Sequence, residues 1–294
     1  MGEIQVELVN TMSSASAETK PFIVAGMPMY NEEETIGTVV TMALRYVDAV
    51  ICIDDGSSDS SAKIAETCGA IVYRHRVNRG YGGALQSLFQ KAKAMNADAL
   101  VVLDSDGQHQ TSDIPKLLKP IIEGEVDFTI GSRFINGGGG TDMPAYRRLG
   151  IKVITAASNL SSDLGIKDTQ SGFRAFSKNA LDRLRFDSEG MELSLEMLED
   201  ARDKKLVIKE VPTVIRYDVP KGSNFTAVSH GFTVLTWAML SLSQKKPLLV
   251  LGIPGLGLIA TGAAMGLNTA QGVSTQFDSI IGPGLSAIWI GVLG

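Results

Sequence analysis

The chain has 294 residues, 44% of them hydrophobic, with a formal net charge of −5 and two cysteines. Its length fits an α/β domain of about 220–250 residues plus an appendage, and its mild acidity excludes a basic nucleic-acid scaffold. Cys52 lies in an apolar strand pattern and Cys68 near a helix end, which excludes a disulfide framework or a cysteine-rich metal site and fits a reducing compartment.

Residues 1–20 are polar, Ser/Ala-rich and without the apolar core of a signal peptide, so they read as a loose tail. Short apolar runs then predict strands at Phe22–Met27, Ala49–Ile53, Ala70–Tyr73, Ala99–Leu103 and Phe128–Ile130. Between them helical patterns run over Thr35–Tyr46, Ser60–Thr67, Ala84–Met95 and Ile114–Ile122. This alternation predicts an α/β fold with a mainly parallel, doubly wound sheet, helices on both faces, and ligands at the carboxyl edge.

Polar clusters follow the strands at that edge: Pro28-Met-Tyr30-Asn31-Glu32, Asp54-Asp55-Gly56-Ser57-Ser58-Asp59, and Asp104-Ser105-Asp106-Gly107-Gln108. The last offers two carboxylates and an amide oxygen, the hard ligands that Mg²⁺ or Mn²⁺ prefer while bridging to substrate phosphates. Asp and Ser also favour helix starts, so Ser58 or Asp59 is expected to cap the next helix while Asp55 binds ligand. A dinucleotide site fails on context. No glycine-rich turn follows the first strand, and Gly80-Tyr81-Gly82-Gly83 comes after the third, where it reads as a tight turn entering a helix.

Basic residues come next: Arg133, Arg147-Arg148, Arg174, Arg216 and Lys221, each a candidate for phosphate contact or for plain solvated surface. The three histidines lack zinc spacing; His109 is positional, and His75 and His230 are unassigned. Glu192 and Glu196, four apart, share a helix face that points either to an acceptor or to water. Phe232, Leu235, Trp237, Met239 and Leu242 make an apolar stripe that suits a membrane interface or packing on the domain.

After Lys245-Lys246 the chain carries no Lys or Arg. Residues 247–267 are uncharged and long enough to span a bilayer, with a buried helical hairpin as the alternative. A polar link, Asn268 to Asp278, leads into a second apolar run, 279–294, which is short for a span and breaks off inside one. The Lys pair and the basic-free link place the preceding domain in the cytoplasm, as part of a multi-pass protein of the cell membrane.

Five stretches in order resemble family 2 glycosyltransferases of the GT-A (Rossmann-like) fold, and among them polyprenyl- or dolichyl-phosphate sugar synthases. They are Pro28-x-Tyr30-Asn31-Glu32, Asp54-Asp55-Gly56-Ser57-x-Asp59, Asp104-x-Asp106-x-Gln108, Gly131-Ser132-Arg133-Phe134 and Asp168-Thr169-Gln170-Ser171-Gly172-Phe173-Arg174. The resemblance covers about residues 20–225. It implies that Pro28, Tyr30, Glu32, Ile53 and Asp55 hold the base and ribose of a nucleotide sugar, with Ser105 and Arg133 beside them. It implies that Asp104, Asp106 and Gln108 hold Mg²⁺ or Mn²⁺ and the diphosphate, with Asp168, Arg133, Arg174 and Glu192 at the reaction. Arg147, Arg148, Arg216, Lys221 and Ser223 would meet the acceptor or diphosphate, although Asn224 stands where many relatives have Lys. The implied plan is a tail (1–20), a catalytic domain (21–225), an interface helix region (226–246) and a transmembrane hairpin (247–294). The implied partners are a nucleotide sugar, a polyprenyl phosphate and the bilayer. The motifs admit UDP-glucose, UDP-N-acetylglucosamine and GDP-mannose alike. Two rivals share the fold: a polysaccharide synthase, which usually carries a Gln/Arg-x-x-Arg-Trp motif lacking around Trp237, and a non-catalytic nucleotide-sugar sensor.

Overall fold

The first strand, β1 (Ile23–Met29), is buried on both faces, as a central strand of a parallel sheet must be. The computed structural model describes residues 20–141, 148, 150–152, 155–156, 159, 165–190, 193–216, 236, 240, 243, 247–267 and 269. These fall into two units, one within Met1–Ala145 and Gln170–Asn224, the other within Tyr146–Thr169 and Phe225–Gly294.

In the first unit β1 is followed by α1 (Ile36–Ala43), β2 (Ala49–Asp54), α2 (Ser61–Thr67), β3 (Ile71–Arg74), α3 (Gly80–Ala94) and β4 (Ala99–Val102). A 3₁₀ turn (Thr111–Asp113) leads to α4 (Ile114–Ile122), β5 (Phe128–Ser132) and β6 (Gly139–Thr141). After the excursion into the second unit come β7 (Arg174–Ser177), α5 (Lys178–Arg183), α6 (Leu193–Asp203), β8 (Ile208–Pro212) and β9 (Val214–Arg216). The sheet order is β3-β2-β1-β4-β7-β5-β8, and β6 pairs with β9. All pairs of the large sheet are parallel except those of β7, which runs antiparallel to β4 and to β5. The mainly parallel sheet is therefore mixed, with a reversed strand inserted between β4 and β5.

Helices cover both faces. On one, Ala25, Met27 and Met29 pack with Ile36, Val39, Val40 and Ala43 of α1 and Ile114, Leu117, Leu118 and Ile121 of α4. The i, i+3, i+4, i+7 spacing puts each set on one helical stripe, and each large side chain so buried contributes about 1.5–3 kcal/mol. On the other, α3 approaches so closely that a Cβ on Gly26 would lie 2.3 Å from a Leu88 methyl. Phe89 of α3 meets the Phe176 and Phe186 rings edge-on at 4.8 and 4.9 Å. Helix α3 starts at Gly80, earlier than the pattern implies, so the glycine-rich segment forms its first turn. Gly80 has φ +77, and a Cβ on Gly82 would lie 2.3 Å from the Ser188 carbonyl oxygen. Glycine lets that turn press against the 188–189 backbone, where the Gly82 N–H donates to Glu189 O at 2.8 Å.

In the second unit the Asn159 side chain brackets Ile166, donating to its carbonyl at 2.6 Å and accepting from its N–H at 3.1 Å. Thr155 and Thr169 share a hydroxyl hydrogen bond at 3.1 Å. Residues 247–267 are helical throughout, with a π-helical turn at Leu248–Gly252, and Leu251, Ile253, Leu256, Leu258 and Ile259 are exposed. Among the described residues no helix is long and apolar enough to cross a membrane. All five residues of the apolar stripe, Phe232, Leu235, Trp237, Met239 and Leu242, and the second apolar run lie outside the described residues.

Candidate active site

Three loops at the carboxyl edge of the sheet build the site, and side chains bolt them together. The chain leaves β1 through Asn31, whose φ of 56° is a left-handed value that Asn tolerates better than most residues. Asn31 N–H donates to Ser57 Oγ at 2.9 Å, its Oδ1 accepts from Ser58 N–H at 2.9 Å, and Glu32 N–H donates to Ser61 Oγ at 2.7 Å. Asp59 Oδ1 accepts from the Ser61 N–H at 3.0 Å, but the cap position of α2 is Ser60, whose side chain makes no capping bond, so neither Ser58 nor Asp59 takes the capping place expected of it. The loop after β4 is tied to β1 by Ser105 Oγ donating to Pro28 O, and to α1 by Thr35 Oγ1 donating to Ser105 O, both at 2.8 Å.

This bracing brings three carboxylates near one another. Burial raises the Glu32 carboxyl from 4.5 to about 7, helped by the charges of Asp106 and Asp104. Desolvation raises the Asp104 carboxyl from 3.8 to about 6, with the charges of Arg133 and Arg174 pulling the other way. Asp106 Oδ1 accepts from the Gln108 N–H at 2.9 Å, which folds the loop back on itself. His109 is buried and accepts the Asp104 N–H at Nδ1 (3.1 Å), so its proton sits on Nε2, 3.8 Å from Asp104 Oδ2. Its ring stacks on Phe173 at 4.9 Å. The positional role expected of His109 is thus a specific one, holding Asp104.

The Ser171-Gly172-Phe173-Arg174 motif closes over the same carboxylate. A Cβ on Gly172 would lie 3.2 Å from both Asp104 oxygens and 3.3 Å from the Tyr81 hydroxyl. Burial and the Asp104 charge hold the Tyr81 phenol above its ordinary range. Farther along the edge, Asp55 is 4% exposed, and its Oδ1 accepts from the Arg79 N–H at 2.9 Å and lies 2.7 Å from His75 Nδ1.

The sequence pattern of Glycosyl transferase family 2 matches residues 25–185, more than half of the chain and all of these loops. The chain belongs to glycosyl transferase family 2. It is a glycosyltransferase. It is 33% identical over 242 residues to the UDP-N-acetylglucosamine–dolichyl-phosphate N-acetylglucosaminyltransferase of Methanococcus voltae, covering 76% of this chain and 96% of that one. It is 31% identical over 196 residues to the dolichol-phosphate mannosyltransferase of Pyrococcus furiosus, covering 63% and 54%. In fold it is similar to glucosyl-3-phosphoglycerate synthase from Mycobacterium tuberculosis, in a complex with Mn²⁺, UDP and glucosyl-3-phosphoglycerate. The TM-score is 0.59 at 23% identity, covering 76% of this chain and 80% of that one.

Several residues of this glycosyltransferase sit differently from what the resemblance implies. The Ile53 side chain is fully buried in the sheet between Pro28 and Tyr73, so it belongs to the core and cannot touch a nucleotide. Ser105 is buried with its hydroxyl on Pro28 O, a tie between strands. Arg174 is also buried: Nε donates to Ser171 O at 2.8 Å and Nη1 to Ser194 O at 3.4 Å, with the guanidinium 5.7 Å from the Phe128 ring. It braces the motif and α6 from inside, where an acceptor phosphate cannot reach it. Glu196 holds the 187–188 backbone, accepting from Asp187 N–H at 2.9 Å and Ser188 N–H at 3.0 Å. Pro28 is half-buried and Tyr30 is 43% exposed at the edge, open to a ligand. Arg133 is buried beside Asp104; Arg148 and Arg216 are exposed, and Arg216 N–H donates to Gln108 O at 2.9 Å. Asp168 is fully buried in the second unit. Arg147, Glu192, Lys221 and Ser223 lie outside the described residues.

Sequence reasoning missed His75, Ser87, Thr35 and Tyr81. His75 follows β3 directly, at the edge where the other clusters lie, and that position was its signal.

Proposed function

We propose that this glycosyltransferase moves one sugar from a UDP- or GDP-linked donor to a polyprenyl phosphate at the cytoplasmic face of a membrane, with inversion and with Mg²⁺ or Mn²⁺. The carrying observation is the half-buried acidic edge itself, where burial, helped by the charges of Asp106 and Asp104, raises the Glu32 carboxyl to about 7. Such a cluster fits a cation that takes two carboxylates and completes its shell with substrate phosphates. Among the described residues no group of three or more acidic, His or Cys side chains is placed to hold a metal by itself. Asp104 and Asp106 would hold the ion, with Gln108 beside them. Bound there, it would neutralise charge on the departing nucleoside diphosphate.

The chain's own groups supply the rest. Tyr30 offers an exposed ring for the base, and Asp55 a carboxylate acceptor for a base or ribose donor. A lipid phosphate, with a second pKa of roughly 6 by analogy with phosphoserine, is already ionised at neutral pH. It needs positioning and charge screening more than a general base, and Arg216 is an exposed cation suited to that. The uncharged 247–267 helix with its exposed leucines supports a membrane location, as do the dolichyl-phosphate substrates in the relatives' names.

Membranes from cells producing the full chain, given Mn²⁺ and labelled UDP-glucose, UDP-N-acetylglucosamine or GDP-mannose, should yield a lipid bearing one labelled sugar. A labelled polymer, or a glycoside on a sugar hydroxyl, would sink the proposal.

A further inference from the structure

We infer that His75, held by Ser87, is a positioning residue that sets the nucleobase preference of the donor site by fixing one oxygen of Asp55 and leaving the other to the base. The inference rests on the donor reading above. His75 is pinned at the backbone, where its N–H donates to Asp54 O at 2.8 Å, extending the β2–β3 pairing by one step. Its ring then spans two loops. Nδ1 lies 2.7 Å from Asp55 Oδ1, and Nε2 lies 2.8 Å from Ser87 Oγ on α3. A carboxylate only accepts, so Nδ1 carries the proton shared with Asp55, and the Ser87 hydroxyl serves Nε2.

Two donors converge on Oδ1, since the Arg79 N–H also reaches it at 2.9 Å. Among the described residues nothing donates to Oδ2. The side chain is only 6% exposed, yet Oδ2 is not among the fully buried polar atoms that lack a partner, so it stays open at the edge to a ligand donor. The backbone keeps this geometry stiff. Gly56 takes φ +84 and lies where a Cβ would be 3.4 Å from Asn78 N, so the Asp55 turn and the 77–78 segment back one another.

The chemistry of Oδ2 defines what it selects. An acceptor fixed in place rewards a base with a ring N–H, as uracil and guanine have. It penalises cytosine and adenine, whose corresponding ring nitrogens are acceptors. A buried polar group left facing the wrong partner is a strong basis for discrimination. Without His75 the Asp55 carboxyl is free to turn, and Oδ1 can rotate toward the base or Oδ2 toward the vacated space. Nucleotide binding persists through the diphosphate, but the preference fades.

The test compares wild type with His75→Ala, His75→Asn, His75→Gln and Ser87→Ala, using the full chain in detergent with Mn²⁺. UDP, GDP, CDP, ADP and inorganic pyrophosphate serve as probes, read by calorimetry. Wild type should favour UDP or GDP over both CDP and ADP. His75→Ala should lose about tenfold of that preference while pyrophosphate affinity stays within twofold. Asparagine can place its amide N–H where Nδ1 was, so His75→Asn should restore most of the preference; the longer His75→Gln should not. Ser87→Ala should lose about threefold, and it keeps the question answerable if the His75 variants fail to fold. An undiminished preference in His75→Ala or Ser87→Ala, or rescue by Gln equal to Asn, would overturn this inference and leave the donor reading standing. A wild-type protein that binds none of the nucleotides would overturn both.

Discussion

Glu32→Gln turns the electrostatics of the acidic edge into a stability measurement. The wild-type carboxyl rises from 4.5 to about 7 on folding, chiefly through burial and then through the charge of Asp106. At about 1.36 kcal/mol per pH unit this corresponds to about 3.4 kcal/mol, and solvent screening of a half-buried group reduces it to about 1–2 kcal/mol. The sign follows from proton counting. Between pH 4.5 and 7 the folded chain holds a proton that the unfolded chain has released, so stability falls as pH rises and levels off above the folded value. Glutamine mimics the protonated acid and can still accept from Thr35 Oγ1, which lies 3.3 Å from Glu32 Oε2. The metal-free variant should therefore melt about 2–8 °C higher than wild type at pH 8.5. By pH 5 the gain should shrink to about a quarter, because the folded wild-type carboxyl is then protonated like the amide and only the first part of the penalty has accumulated above pH 4.5. Calorimetric melts with chelator at the two pH values make the comparison. A variant that melts lower at pH 8.5, or gains equally at both, would refute the raised Glu32 carboxyl.

Three further outcomes are expected. Asp106→Ala should cut turnover by a factor on the order of 10²–10⁴ and abolish the Mn²⁺-dependent melting shift given by UDP or GDP, and full activity at ordinary Mn²⁺ would overturn the assignment. Gly172→Ala places a methyl 3.2 Å from both Asp104 oxygens, so it should lower turnover by up to about 10²-fold with an unchanged circular dichroism spectrum; wild-type kinetics would show that the carboxylate has room to move. For the proposed topology, a cysteine at position 269 should react with an impermeant thiol reagent in intact cells and one at position 14 should not, and the reverse pattern is inconsistent with a cytoplasmic donor.

The parallel half of the fold was legible because β/α alternation has a direct periodic signature. Strands at 49–53 and 99–103 and the helix at Ile114–Ile122 fall where the pattern put them. The reversed strand β7 was not legible: Arg174–Ser177 is four residues long, and its position depends on pairing with residues more than 70 positions earlier. The same non-locality hid the site's supports. Asp55, Asp104 and Asp106 stood out as acids after strands, but nothing local shows that His75 would reach back to Asp55, or that Gly172 would lie against Asp104. Arg174 was misplaced for a related reason. Its charge reads as a phosphate ligand until the register with Val102 and Ile130 turns it to the interior.

The insertion of β7 has a consequence for biosynthesis. Strands β1 to β4 are complete once residue 102 has been made, but the far edge of β4, Ala99-Leu-Val-Val102, is hydrogen-bonded only when Arg174–Ser177 arrives. At roughly 5–20 residues per second, the intervening 75 residues take about 4–15 s. For that interval the nascent chain carries an apolar open strand, the geometry that recruits other chains. Nascent chains arrested before residue 174 should engage chaperones and aggregate on release, whereas those arrested well beyond residue 177 should be protected.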